Sequence, residues 1–111
     1  MPRDRLLLGE MTEAGERIVA TVSRLDRERP DADRDLLDAL LWNFTVLGEA
    51  SGQVSAELKA AQPKVAWADP VRLRNRIVHG YWSVDLDVPV STARDDVPDL
   101  VAALRAMERE I

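Results

Sequence analysis

Tyr81-Trp82-Ser83-Val84-Asp85-Leu86-Asp87-Val88-Pro89-Val90 is the stretch on which the fold class turns. Apolar and polar residues alternate along it, which is the period of a half-buried strand. No second strand is readable elsewhere in the chain, and a lone strand leaves its backbone donors and acceptors unpaired. The sequence therefore predicts an extended connector packed along helices, and an all-α fold.

Four helices are read on either side of that connector. From Arg5 to Arg27, Leu7, Met11, Ala14, Ile18, Val22 and Leu25 recur at steps of three and four and mark one apolar stripe. Pro30 stops that helix. From Asp33 to Ala60 the stripe is Leu37, Leu40, Leu41, Phe44, Leu47, Ser51, Val54 and Leu58, with Asp31 or Asp33 as the N-cap and Pro63 as the stop. Gly48 and Gly52 lie one turn apart on it and permit either close helix approach or a bend. A short helix runs from Pro70 to His79, opened by Asp69-Pro70 and closed by Gly80, a residue that tolerates the left-handed conformation. The last covers Thr92 to Arg109, or starts near Asp96, because Pro98 fits only in a first turn. Short connections between such helices imply a compact up-and-down bundle of four to five helices, one domain over residues 1–111.

Bulk properties narrow the function. The net charge is −5, so the chain lacks the overall basic charge that favours nucleic acid by counterion release. Any such contact needs a local basic patch. Absence of cysteine removes disulfides, thiolate catalysis and Cys-based zinc sites. The opening Met1–Glu10 has three apolar residues in a row, too few for a signal-peptide core, and no apolar run approaches a membrane span. The expected location is the cytoplasm, with no membrane association.

The patch is found on the third helix. It carries Arg72, Arg74, Arg76, Asn75 and the single histidine, His79, and no acidic residue lies between Asp69 and Asp85. At about 100° per residue, Arg72, Asn75, Arg76 and His79 fall within a sector of roughly 100°. Leu73, Ile77 and Gly80 lie beside them, toward the bundle. Arg74 is offset from His79 by about 140°. Three arrangements relieve that offset: the arginine stem wraps round, the helix ends before His79, or a second subunit completes the site.

The residue types present suit metal-free cleavage of RNA. His79 can take the proton of a ribose 2′-OH or give one to the departing 5′ oxygen. An arginine can hold the scissile phosphate and stabilise the charge that builds on it. Asn75 can orient the imidazole or the phosphate. Because the 2′-OH is the nucleophile, RNA is cut and DNA is spared. No paired-carboxylate metal site and no cofactor motif is visible.

Arg74-x4-His79, with Asn75 directly after the arginine, resembles the HEPN ribonuclease motif. With Tyr81 added, and with the runs RLRNRIVHGYWSVDLDVPV and DDVPDL, the chain resembles the HepT-like subfamily. The resemblance implies an all-α bundle that dimerises, so that two motif copies line one cleft. It implies that Arg74 and His79 are the catalytic residues of a metal-independent toxin ribonuclease without a cofactor. It also implies a partner, an MntA-type minimal nucleotidyltransferase antitoxin, which neutralises the toxin by AMPylation of Tyr81. The added charge beside His79 would repel RNA. Arg72 and Arg76 then serve as an RNA-steering face.

Two other classes fit the same residues. One is a non-catalytic helical module that binds a nucleotide or a protein in the same cleft. The other is a structural companion of a nucleotidyltransferase. Plain structural roles are also read for individual residues: a helix C-terminal His79, a salt-bridged Arg74, and Trp42, Trp67 and Trp82 as packing residues, with base stacking a further role for Trp82.

Overall fold

A computed structural model describes residues 2–111, and for Trp82 its backbone alone. All regular structure among the described residues is helical, with no strand. The helices are α1 (Pro2–Arg24), α2 (Arg34–Gln53), α3 (Ala56–Ala61), α4 (Ala68–His79), α5 (Asp87–Asp95) and α6 (Val97–Glu110), with 3-10 turns at Pro30–Ala32 and Tyr81–Ser83. The all-α expectation holds. None of the described helices is long and apolar enough to cross a membrane.

α1 and α2 form the centre of the bundle. α1 packs against α2 and α6, and α2 packs against α1 and α4. The stripes read from the sequence face inward: Met11, Ala14 and Ile18 of α1 and Leu40, Leu41, Phe44 and Leu47 of α2 are fully or almost fully buried, and Leu8 joins them. Each such side chain larger than alanine contributes roughly 1.5–3 kcal/mol by leaving water. Trp67 joins the core, and its indole N–H donates to the Gln62 carbonyl at 3.1 Å. Trp42, expected as a packing residue, is 65% exposed. It flanks the stripe defined by Leu37, Leu40, Leu41 and Phe44, so the helix turns it outward.

Three boundaries differ from the sequence reading. The helix expected over Asp33–Ala60 is two helices. Asp33 caps α2 by accepting from the Leu36 N–H at 3.1 Å, as read, but α2 ends at Gln53 and Val54 is extended. Ser55 then caps α3 through the Leu58 N–H at 3.1 Å. The break is held from outside. The buried carboxylate of Asp4 accepts from the Ser55 N–H at 3.0 Å and from its hydroxyl at 2.6 Å. A strong N-cap residue with a long-range partner overrides the continuing apolar period.

The connector after the motif is the second difference. Tyr81–Ser83 is a 3-10 turn, and α5 begins at Asp87. Leu86, Val90, Ala93 and Val97 recur at helical steps, and the last three are buried. Pro89 sits in the first turn of α5, where no N–H is needed. The alternation over 81–90 is therefore a short-range coincidence, and the helix period starting at Leu86 prevails. The final helix read from Thr92 is accordingly two, divided at Asp96.

Third, α4 starts at Ala68, with Asp69 and Pro70 inside its first turn and no side-chain cap at Trp67. Gly80, expected in the left-handed region, has φ −154°. Its lack of a side chain matters for space, since a Cβ there would lie 2.9 Å from Ser83 Oγ.

Candidate active site

α4 presents Arg72, Asn75, Arg76 and His79 to solvent while Leu73 and Ile77 are buried. The polar sector read from the sequence is thus one exposed face. Arg74 leaves it, as the angular offset requires. Its side chain crosses to α2, where Gly48 leaves no room for anything larger: a Cβ at Gly48 would lie 2.3 Å from Arg74 Cβ and 2.4 Å from the Pro70 carbonyl oxygen. The guanidinium reaches the Glu49 carboxylate at 3.5 Å and donates to Asn75 Oδ1 at 3.0 Å. Its Nε is buried without a hydrogen-bond partner, although the side chain as a whole is 30% exposed. A buried unpaired donor is uncommon, and it lies on a cation whose terminal nitrogens stay near the surface.

His79 is the last residue of α4. It borders a hollow of about 320 Å³ shared with Arg76, Leu73, Ser83, Asp85 and Val88. Within one chain the structure therefore groups His79 with Arg76, and Arg74 with Asn75 and Glu49. Arg72 turns back to pair with Asp69, one turn earlier on α4. A larger groove of about 800 Å³ touches the motif helix only at Asp69, Pro70, Arg72, Leu73 and Arg76, and Asp96, Asp99 and Glu110 stand along it. Lys64 lines it too, so its charge is mixed, whereas His79 borders only the smaller hollow. The stretch free of acidic residues in sequence is thus supplied with carboxylates in space. Among the described residues Arg76 is an arginine of this face without an ion pair.

Tyr81 stands in the 3-10 turn directly after the helix. Its hydroxyl donates to the carboxylate of Asp38 on α2. Arg34, one turn earlier on α2, donates to the same oxygen at 2.9 Å, and its guanidinium lies 5.7 Å from the centre of the Tyr81 ring. The hydrogen bond to Asp38, then partial burial, pushes the Tyr81 phenol above its ordinary range. The same bond, reinforced by Arg34, holds the Asp38 carboxyl below its ordinary range. Sequence reasoning missed Asp38, Arg34 and Glu49. Arg34 and Asp38 form an i,i+4 helix pair on α2, and nothing in the sequence links either to residue 81. The side chain of Trp82, read as packing or base-stacking, lies outside the described part of the structure.

Comparison with known proteins places the chain in a family. The family described as Ribonuclease HepT-like matches residues 11–107. A Thermococcus cleftensis protein named "Probable ribonuclease HepT" is 29% identical over 68 residues, 61% of this chain and 62% of that protein. Two Methanocaldococcus jannaschii proteins with RNase in their names are 29% and 22% identical, over 56% and 70% of this chain and 57% and 68% of theirs. The chain thus spans under two thirds of the first two of these relatives. No solved structure matches. With a helical fold, an exposed Arg/His face on α4 and a family match across most of its length, this chain belongs to the Ribonuclease HepT-like family.

Proposed function

We propose that this chain is a metal-independent endoribonuclease that works as a homodimer and is the toxin of a toxin–antitoxin pair in the cytoplasm. One observation carries the reading: Arg74 and His79 share a helix yet face different neighbours. The chain has one histidine, while in-line cleavage by a ribose 2′-OH needs a proton removed from the 2′ oxygen and one supplied to the 5′ oxygen. Two copies supply both groups. As the 2′-O–P bond forms and the P–O5′ bond breaks, one His79 takes the first proton and the other gives the second. Arg74 of either copy stabilises the extra negative charge on the phosphate. Its terminal nitrogens, which stay near the surface, suit that work, with release from Glu49 as RNA arrives. Asn75 positions Arg74, and Arg72 and Arg76 steer the RNA. An MntA-like nucleotidyltransferase restrains the enzyme by AMPylation of Tyr81, two positions after His79. The family membership and the relatives' names support the ribonuclease part of this reading.

The test is RNA cleavage in EDTA by the unmodified protein and by His79→Ala. Cleavage by the first and its loss in the second is the expected result. Equal cleavage by both would remove His79 from the mechanism.

A second reading has its own observation. The Arg74 guanidinium is already engaged by Glu49 and Asn75, which suits a non-catalytic module that binds a nucleotide or protein partner. It requires that the unmodified dimer cleave no RNA in the same assay.

A further inference from the structure

Tyr81 is the single tyrosine of the chain, and two residues from a distant helix converge on it. We propose that Asp38 is the proton acceptor for attachment of a nucleotide group to Tyr81. The proposal rests on the regulatory reading given above and adds a residue and a chemical step to it.

A tyrosine hydroxyl is a weak nucleophile while it keeps its proton. The Tyr81 phenol is pushed above its ordinary range, so little phenolate stands ready at neutral pH. The proton has to leave as the oxygen attacks. Among the described residues, Asp38 is the acceptor bonded to that oxygen. Its carboxyl is held below the ordinary range, first by Tyr81 and then by Arg34, so it is ionised, and the hydrogen bond sets its oxygen on the proton that must leave. The charged groups acting on the phenol are Asp38 and Arg34, both from α2. Both side chains are well exposed, Asp38 by 47% and Arg34 by 68%, so a bound enzyme can reach them.

The step balances with a nucleoside triphosphate as co-reactant. Tyr81 Oη attacks the α-phosphorus and the Oη–P bond forms. The bond from that phosphorus to the bridging oxygen breaks, and pyrophosphate leaves with the electron pair. The phenol proton passes to the Asp38 carboxylate and from there to water. The product has no O–H left to donate to Asp38, and a phosphodiester anion now stands beside that carboxylate. Arg34, already in place over the ring, is the nearby cation for it.

The experiment mixes the purified chain with ATP, Mg²⁺ and an MntA-like nucleotidyltransferase, and follows nucleotide addition by intact mass at several pH values. Wild-type protein is expected to be modified at a rate nearly independent of pH around neutrality. Asp38→Asn keeps the shape and an acceptor oxygen but no useful base, and should be slower by about 100-fold at neutral pH. Its rate should rise about tenfold per pH unit, as hydroxide replaces the missing base. Asp38→Ala, slow alone, should be partly rescued by added formate. That variant keeps the test open should Asp38→Asn not fold. A purely structural Asp38 gives a slower variant with the wild-type pH profile and no formate rescue, and that result overturns the proposal, as does unchanged speed. If wild-type Tyr81 is never modified while wild-type protein still cuts RNA, the regulatory reading falls with the proposal but the ribonuclease reading stands.

Discussion

Gly48 and Arg74 touch through the space that a side chain at residue 48 would fill: a Cβ built on Gly48 would lie 2.3 Å from the Cβ of Arg74. The same Cβ would meet the Pro70 carbonyl at 2.4 Å, and that atom cannot move without α4. Gly48→Ala gains helix propensity of about 1 kcal/mol in α2 but forces the helices apart. A net destabilisation of about 1–3 kcal/mol is expected, as for overpacked cores. Thermal unfolding checks it. RNA cleavage should fall as well, because the wedge displaces Arg74 itself.

If Arg74 holds the RNA phosphate as proposed, Glu49, 3.5 Å from its guanidinium, competes with that phosphate. Glu49→Gln should raise RNA affinity several-fold at low salt, the scale of a partly exposed ion pair. Arg74→Ala should lower cleavage by roughly 100- to 1,000-fold, the cost of losing a charge-stabilising donor. Arg74→Lys should recover little, because a point charge cannot reproduce the guanidinium fork. Binding titrations and single-turnover cleavage read both effects. Tighter binding in Arg74→Ala would contradict a phosphate role.

Asp4 ties stability to acid. Its hydrogen bonds from Ser55 lower its pKa below the ordinary 3.8 in the folded chain. A depressed carboxylate stabilises the fold fully above its unfolded pKa, and that contribution is lost as pH falls through the folded one. Ser55→Ala removes the α3 cap and the hydroxyl bond to Asp4 while keeping the backbone N–H bond, and should cost about 1–2 kcal/mol at neutral pH. It should also flatten the decline in stability below the ordinary carboxylate range. Urea unfolding across acidic pH compares the two proteins.

Tyr81 works in the opposite sense. Its pKa is raised in the folded chain, so its contribution is whole below the ordinary phenol value of 10.0 and is lost as pH rises through the folded value. Ultraviolet titration of the single tyrosine reads it directly. Asp38→Asn should move the transition down toward the ordinary range. An unmoved transition would mean that the hydrogen bond does not exist in solution.

The sequence made the buried faces legible because apolar spacing follows burial directly. Leu40, Phe44 and Ile18 needed nothing else. It also placed Arg74 off the His79 face, since helix rotation is fixed by residue number. It did not disclose where α2 stops, because Ser55 breaks the helix with help from Asp4, 51 positions away. It misjudged residues 87–90, where a short alternation overlaps a helical period and only packing decides between them. Asp38 was invisible for the same reason as Asp4. A hydrogen bond between residues 38 and 81 leaves no local pattern in either neighbourhood.

α2 contacts both ends of the motif, Tyr81 through Asp38 and Arg74 through Gly48. Those two α2 positions are separated by ten residues of unbroken helix, about 15 Å of rise. α2 therefore acts as a gauge bar that meters the spacing between the tyrosine and the arginine, independently of how α4 ends. Inserting one residue between positions 38 and 48 would turn the bar by about 100°. It would release one end whichever end it kept, uncoupling tyrosine from arginine without altering any residue of the motif.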